Sequence, residues 1–200
     1  MSTKTKVLLA SNNKHKLSEF KVLLKETPLE IELSDSSFDV EETGETFYEN
    51  ALLKAKGFYE KFGTPSLSDD SGLCVEALPN DLGVYSKRFG DPSFDDEMRA
   101  RHLLEKLEGE ENRKAYFICV LCLYLSPDEH YFFEGRVEGE IATFYRGTEG
   151  FGYDPVFLPE KGESSKTLAE QALWKDKHSH RAAACRYLCE FLTTKNCQSP

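Results

Sequence analysis

Apolar residues in this chain come in short runs that alternate with stretches of helical spacing. Residues 6–10 (KVLLA) form an apolar run of strand length. They lead into Ser11-Asn12-Asn13, good N-cap chemistry, and then Leu17, Phe20 and Leu24 at the spacing of one helix face. Leu29–Leu33, after Pro28, predicts a second short strand, followed by an acidic loop that ends Glu41-Glu42-Thr43-Gly44-Glu45. Thr46 and Glu49 make a capping box, and Phe47, Ala51, Ala55, Phe58 and Phe62 mark the apolar face of a helix reaching Gly63. Residues 66–77 read as strand, acidic turn, strand, with Asp69-Asp70-Ser71-Gly72 as the turn.

Residues 79–92 carry Gly and Pro turn signals and read as an exposed loop. Ser93 is the expected cap of a helix with Ala100, Leu103, Leu104 and Leu107 on its core face. Two long strands, 114–125 and 130–141, follow, joined by Ser-Pro-Asp-Glu, a type I turn sequence. A glycine-rich loop at 147–152 precedes Tyr153-Asp154-Pro155-Val156-Phe157, and the chain ends in helix from about residue 181. Helix-linked strands early and hairpin-linked strands late predict a mixed sheet in an α/β protein.

Composition narrows the possibilities. At 200 residues the chain has the length of one domain, residues 1–200, and it can bury ~70% of its unfolded surface without metal or disulfide. The 35 acidic against 25 basic residues leave a net charge of −10, which argues against a sequence-independent nucleic-acid binder. The longest apolar stretch, 115–125, is far short of the ~20 residues a bilayer requires. The first residues lack an apolar leader core and a small-residue cleavage site, so a cytoplasmic protein is expected.

Six cysteines invite a zinc reading. Cys119 and Cys122 lie three apart in an apparent strand and so face opposite sides, which prevents both from gripping one ion with Cys185 and Cys189. With Cys74 in an apolar run and Cys197 in a polar tail, all six are read as small hydrophobes, unpaired in a reducing compartment.

Four constellations could carry chemistry, and each has a bland alternative. Ser11-Asn12-Asn13-Lys14-His15-Lys16 sits where a strand meets a helix, a place that offers unpaired N–H groups and a favourable dipole to phosphate. It lacks a P-loop pattern, and a plain N-cap with a basic turn fits it as well. Glu41, Glu42, Glu45, Asp69 and Asp70 offer oxygen ligands to Mg²⁺, or simply solvated acidic turns; Lys54 shares a helix face with Asn50. Gly150-Phe151-Gly152-Tyr153-Asp154-Pro155 allows close backbone approach and stacking on a planar base, or two core aromatics. Residues 175–181 (KDKHSHR) concentrate cationic groups in an acidic chain, with Ser179 as a candidate N-cap.

Together these pieces carry a resemblance. LASNNKHKLSEF, EETGETFYENALLKA, SDDSGLCVEAL, GVYSKRFG, KAYFICVL, GFGYDPVF and SHR occur in family order from Leu9 to Arg181. The chain resembles the inosine triphosphate pyrophosphatases, which hydrolyse non-standard purine nucleoside triphosphates. The resemblance implies an elongated mixed α/β sheet flanked by helices, two lobes with an active-site cleft between them, and a homodimer. It implies Mg²⁺-dependent hydrolysis of ITP, dITP and XTP to the monophosphate and pyrophosphate, with Mn²⁺ as a substitute ion, and no nucleic-acid or membrane partner. Ser11, Asn13 and Lys16 match the triphosphate-binding turn, and Lys54 and Lys87 match phosphate contacts. Glu42, Asp69 and Asp70 match metal ligands, with Asp70 also the general base and Ser71 a substrate contact. Phe151, Gly152, Tyr153 and Asp154 match the block that stacks on the nucleoside, and Lys175, His180 and Arg181 match the residues that read the base.

Asn12, Leu82, Lys87 and Trp174 depart from common family choices without removing a chemical group. Two rivals remain at this stage: a related enzyme for pyrimidine or methylated nucleotides, and a non-catalytic nucleotide sensor.

Overall fold

The first apolar run forms a strand, as its pattern predicts. In a computed structural model describing residues 4–34 and 37–197, β1 (Thr5–Leu9) buries Val7, Leu8 and Leu9. It leads into α1 (Lys14–Leu23) and then β2 (Leu29–Leu33), which pairs parallel to β1 with Val7 opposite Ile31. Residues 1–3 of the stretch read for a leader, and 35–36 of the acidic loop, lie outside the described residues.

The capping box is present as read: Thr46 Oγ1 accepts from Glu49 N, and Glu49 Oε2 accepts from Thr46 N. It starts α2 (Phe47–Phe62), which stops at Gly63 in the left-handed conformation. β3 (Ser66–Val75) pairs parallel to β1, with Leu9 opposite Leu67. After α3 (Asp96–Lys106), β4 (Lys114–Ser126) and β5 (Glu129–Ile141) are linked by two residues. β5 then pairs antiparallel with β6 (Phe157–Pro159), Glu140 opposite Leu158. The six strands run β2-β1-β3-β4-β5-β6, the mixed sheet expected, and α4 (Ala172–His178) and α5 (His180–Cys197) complete the chain.

Four local expectations are corrected. Asp69-Asp70-Ser71-Gly72 is no turn, because β3 runs unbroken through it. The stretch 79–92 holds a 3₁₀ helix, Gly83–Arg88, flanked by buried Leu82 and Phe89. Asp95 rather than Ser93 caps α3, accepting from Met98 N at 2.8 Å, while Ser93 Oγ donates to Asp91. Ser179 ends α4 instead of starting the last helix, its N–H donating to Lys175 O.

Contacts divide the chain into two compact units. The first comprises 1–70, 119–135 and 181–200, and the second 71–118 and 136–180. Each has its own apolar core. In the first, Val7, Leu9, Phe20, Leu67 and Leu121 pack with Leu188 of α5. In the second, Leu73, Leu103 and Phe117 pack with Val156 and Phe157. Cys119 and Cys122 are fully buried on β4, and burial pushes both thiols up to about 12, so the small-hydrophobe reading fits them. No helix among the described residues is long and apolar enough to cross a membrane.

Candidate functional site

Successive side chains on a strand face opposite ways, and β3 uses this to separate two adjacent carboxylates. Ser66, Ser68 and Asp70 share one face. Ser66 Oγ donates to Ala55 O and Ser68 Oγ to Ala51 O, so this face lies under α2. Asp70 continues the row and meets Lys54 of α2, Nζ to Oδ1 2.7 Å. Leu67 and Asp69 form the other row. Leu67 joins the core under α1 and α5, and Asp69 meets Lys16 of α1 at 2.8 Å and Arg181 of α5 at 2.9 Å.

The two aspartates therefore have different electrostatics. Burial alone would raise the Asp69 carboxyl, but Lys16, Arg181 and Lys54 overcome it and hold the group well below the usual carboxylate range. Arg181 is 1% exposed; it is matched by Asp69 and by Glu19 of α1, 2.5 Å from Nη1, and its pKa rises because these anions outweigh desolvation. Asp70 behaves oppositely. Its burial dominates and raises its pKa, with Lys54 pulling against the shift and Glu42 and Asp69 adding to it. Burial would lower the Lys54 pKa, but Asp70, Asp69 and Glu42 reverse this and keep it a cation.

Lys54 Nζ also lies 2.7 Å from Glu42 Oε1, so one ammonium joins the acidic loop to β3. That loop is tied to α2 through Asn50, fully buried four residues before Lys54, whose Oδ1 accepts from Gly44 N at 2.8 Å. Ser11 and Asn13 fold the turn ahead of α1: Ser11 Oγ accepts from Asn13 N, and Asn13 Oδ1 from Lys16 N.

The remaining expected residues lie in the second unit. Asp154, 3% exposed, receives Phe151 N at 2.9 Å and Lys175 Nζ at 2.6 Å on one oxygen, Oδ2. The Lys175 ammonium lies 4.5 Å from the Phe151 ring centroid, within cation–π range. Gly150 (φ +83°) cannot be replaced freely, since a Cβ there would fall 2.2 Å from Asp154 Oδ2. Tyr153 OH donates to Ser86 O, and the His180 ring stacks on Phe117, centroids 4.8 Å apart. Ser71 is partly buried on β3, and Lys87 is exposed on the 3₁₀ helix.

With this geometry in view, the likeness to known proteins is informative. The Ham1 family model matches residues 7–191. The chain belongs to the Ham1 family. A protein of Leptospira interrogans named dITP/XTP pyrophosphatase is 44% identical, covering 96% of this chain and 99% of its own length. One of Aquifex aeolicus with the same name is 45% identical, covering 96% and 98%. Among solved structures, the Staphylococcus aureus Ham1 protein superposes with TM-score 0.85 at 37% identity, covering 96% of this chain and 100% of its own.

The Ham1 residues in the first unit can be tested for a cation. Among the described residues, no three Asp, Glu, His or Cys side chains converge as a finished metal site. Asp69, with both oxygens against cations, is a poor ligand. Glu42 and Asp70 converge on a single ammonium, the all-oxygen pair that suits Mg²⁺, an ion that keeps waters and takes phosphate oxygens. The residues fit on that reduced set. Sequence reading missed Glu19 and the loop-holding role of Asn50; their signals were the helical offsets i+3 from Lys16 and i−4 from Lys54.

Proposed function

We propose that this chain hydrolyses ITP, dITP and XTP to the nucleoside monophosphate and pyrophosphate, with Mg²⁺ as its cofactor. The observation that carries the reading is the Glu42–Lys54–Asp70 bridge, which puts an ammonium between two carboxylates of which one is poorly solvated. Glu42 and Asp70 would hold the ion. When bound it neutralises phosphate charge and lowers the pKa of a coordinated water.

Asp70 accepts the proton of the attacking water; its raised pKa brings the base nearer the working pH than an ordinary Asp at ~3.9. Lys16, Lys54 and Lys87 are the cations for the triphosphate. Lys16 can exchange Asp69 for a phosphate because Arg181 still compensates that carboxylate. Phe151 stacks on the purine, and Lys175, oriented by Asp154, donates to the 6-keto oxygen that inosine and xanthosine share. Adenine presents an amino group there and would leave a buried donor unpaired, a mismatch worth up to ~10⁴-fold. Arg181, with Nη1 and Nη2 both against carboxylates, is better suited to fixing Asp69 than to reading a base.

The names of the Ham1 relatives support the substrate class. A homodimer and a cytoplasmic location belong to the same proposal, the first readable by sedimentation. The deciding experiment measures pyrophosphate release from ITP, dITP, XTP, ATP and GTP with Mg²⁺, and again after chelation. Release from the first three alone, lost with the metal, is expected. Equal rates with ATP would overturn the base-reading account, and binding without turnover would favour a sensor. GTP, whose guanine carries the same 6-keto oxygen, tests whether other contacts reject its 2-amino group.

A further inference from the structure

The loop at 150–154 is held by more than its own aspartate. Phe151 N donates to Asp154 within the loop, and Tyr153 is anchored by its hydroxyl to Ser86 O. The next amide, Gly152 N, donates across 56 residues of chain to Asp96 Oδ2 at 3.1 Å. Asp96 is the first residue of α3, and its other oxygen faces Arg99 Nη1 at 3.3 Å. Arg99 in turn donates from Nη2 to Phe94 O, so the carboxylate is steered from both sides. Gly152 is in the left-handed region (φ +61°), which glycine adopts without a Cβ penalty. A cavity of about 560 Å³ opens against Gly150, Phe151 and Gly152 on one side and Asp95, Asp96 and Glu97 on the other.

We propose that Asp96 is a positioning residue for base recognition: by accepting from Gly152 N, it fixes the peptide that carries Phe151. The inference rests on the proposed role of Phe151 in stacking on the purine. Two consecutive amides taken by two carboxylates from different elements hold the two peptides that flank Phe151, Gly150–Phe151 through Asp154 and Phe151–Gly152 through Asp96. Removing the Asp96 contact leaves the loop attached through Asp154 and Tyr153 but releases the Phe151–Gly152 peptide from α3. Asp96 makes its contact from an exposed position, so the hydrogen bond competes with water and its effect is moderate.

The test compares Asp96→Ala, Asp96→Asn and Asp95→Ala with the wild-type chain. Asp95 caps the same helix by accepting from Met98 N, whereas Gly152 N donates to Asp96, so Asp95→Ala controls for a weakened α3. Asp96→Ala is expected to raise KM for ITP ~2- to 10-fold with kcat retained. Asp96→Asn, which keeps an acceptor oxygen, should restore the wild-type KM. Amide hydrogen exchange without nucleotide gives a second readout: Gly152 should exchange faster in Asp96→Ala and at the wild-type rate in Asp95→Ala. An unchanged KM with unchanged Gly152 exchange overturns the proposal. So does an equal rise in KM for Asp95→Ala and Asp96→Ala, which would assign the effect to the helix start. If the wild-type chain does not turn over ITP, the functional reading fails and the Gly152 exchange rate alone decides the positioning role.

Discussion

The two groups of expected site residues are built in opposite ways. In the first unit, Asp69, Asp70, Lys54 and Arg181 are all nearly buried and sit on strands and helices, each charge fixed by a counter-charge from another element. In the second, Phe151, Gly152 and Asp154 sit on a loop and a 3₁₀ turn, shaped by left-handed glycines, with the buried Asp154–Lys175 pair tying the loop to α4. Buried ion pairs set the protonation and direction of charges before a substrate arrives, which suits chemistry on phosphates. Glycine loops set a surface, which suits contact with a flat base. Substitutions in the first group should thus cost turnover or stability, and those in the second should cost affinity.

Asp70→Asn breaks the comparison most sharply. It removes the proposed base in a nearly isosteric change, and turnover should fall ~10²- to 10⁴-fold, the range for general-base catalysis. Burial raises the folded pKa of Asp70, so its ionised form destabilises: the stability it offers is full below the unfolded value and lost as pH rises through the folded one. The variant removes that cost but also takes an anion from buried Lys54, so the two effects on melting oppose each other and turnover is the readout. Undiminished pyrophosphate release would put the base elsewhere.

Arg181→Met should leave turnover a secondary casualty and stability the first. It takes from Asp69 and Glu19 the cation they share, and with Lys16 still facing Asp69 the loss stays within about 3–5 kcal/mol, the cost of a fully broken buried pair. Urea unfolding reads this directly. The double variant Asp69→Asn/Arg181→Met should recover part of the loss, because Asp69, which in Arg181→Met keeps Lys16 but loses half of its compensation, then carries no charge.

The same network predicts acid sensitivity of the first unit. Folded Asp69 binds its proton more weakly than the unfolded chain does, so the unfolded state takes up protons as the medium is acidified. The contribution is complete above the unfolded value of ~4 and is lost as pH falls through the lower folded value. Urea midpoints between neutral pH and the acid limit should fall more gently in Asp69→Asn than in wild type. Parallel curves would show that Asp69 titrates as an ordinary carboxylate.

How far the sequence could be read follows the same division between local and distant partners. The α2 capping box and the β4–β5 link were legible because their partners are three or four residues away. Asp69-Asp70 reads as a turn because polar residues between apolar ones usually need water. Here Ser66, Ser68 and Asp70 find α2, and Asp69 finds α1 and α5, none of which a local pattern reveals. Arg181 looked like part of a solvated basic run for the same reason, and its counter-charges lie 112 and 162 residues away. Asp95 won the α3 cap from Ser93 because Asp91 already engages the serine hydroxyl.

The gentlest comparison uses two glycines with similar backbones, one in each unit. Gly63 (φ +64°) ends α2 with open space where a Cβ would go, whereas at Gly150 (φ +83°) a Cβ would fall 2.2 Å from Asp154 Oδ2. Alanine at either position carries the left-handed strain of about 1–2 kcal/mol. At Gly63 that strain stays in a helix C-cap, so Gly63→Ala should lower the urea midpoint and leave KM for ITP unchanged. At Gly150 the methyl displaces the carboxylate that receives Phe151 N and Lys175, so the strain reaches the groups proposed to stack on and read the base. Gly150→Ala should then raise KM several-fold and narrow the preference for ITP over ATP, with a midpoint shift no larger than that of Gly63→Ala. If both variants lost only stability, the 150–154 loop would be scaffolding, and the purine would have to be recognised by side chains other than Phe151 and Lys175.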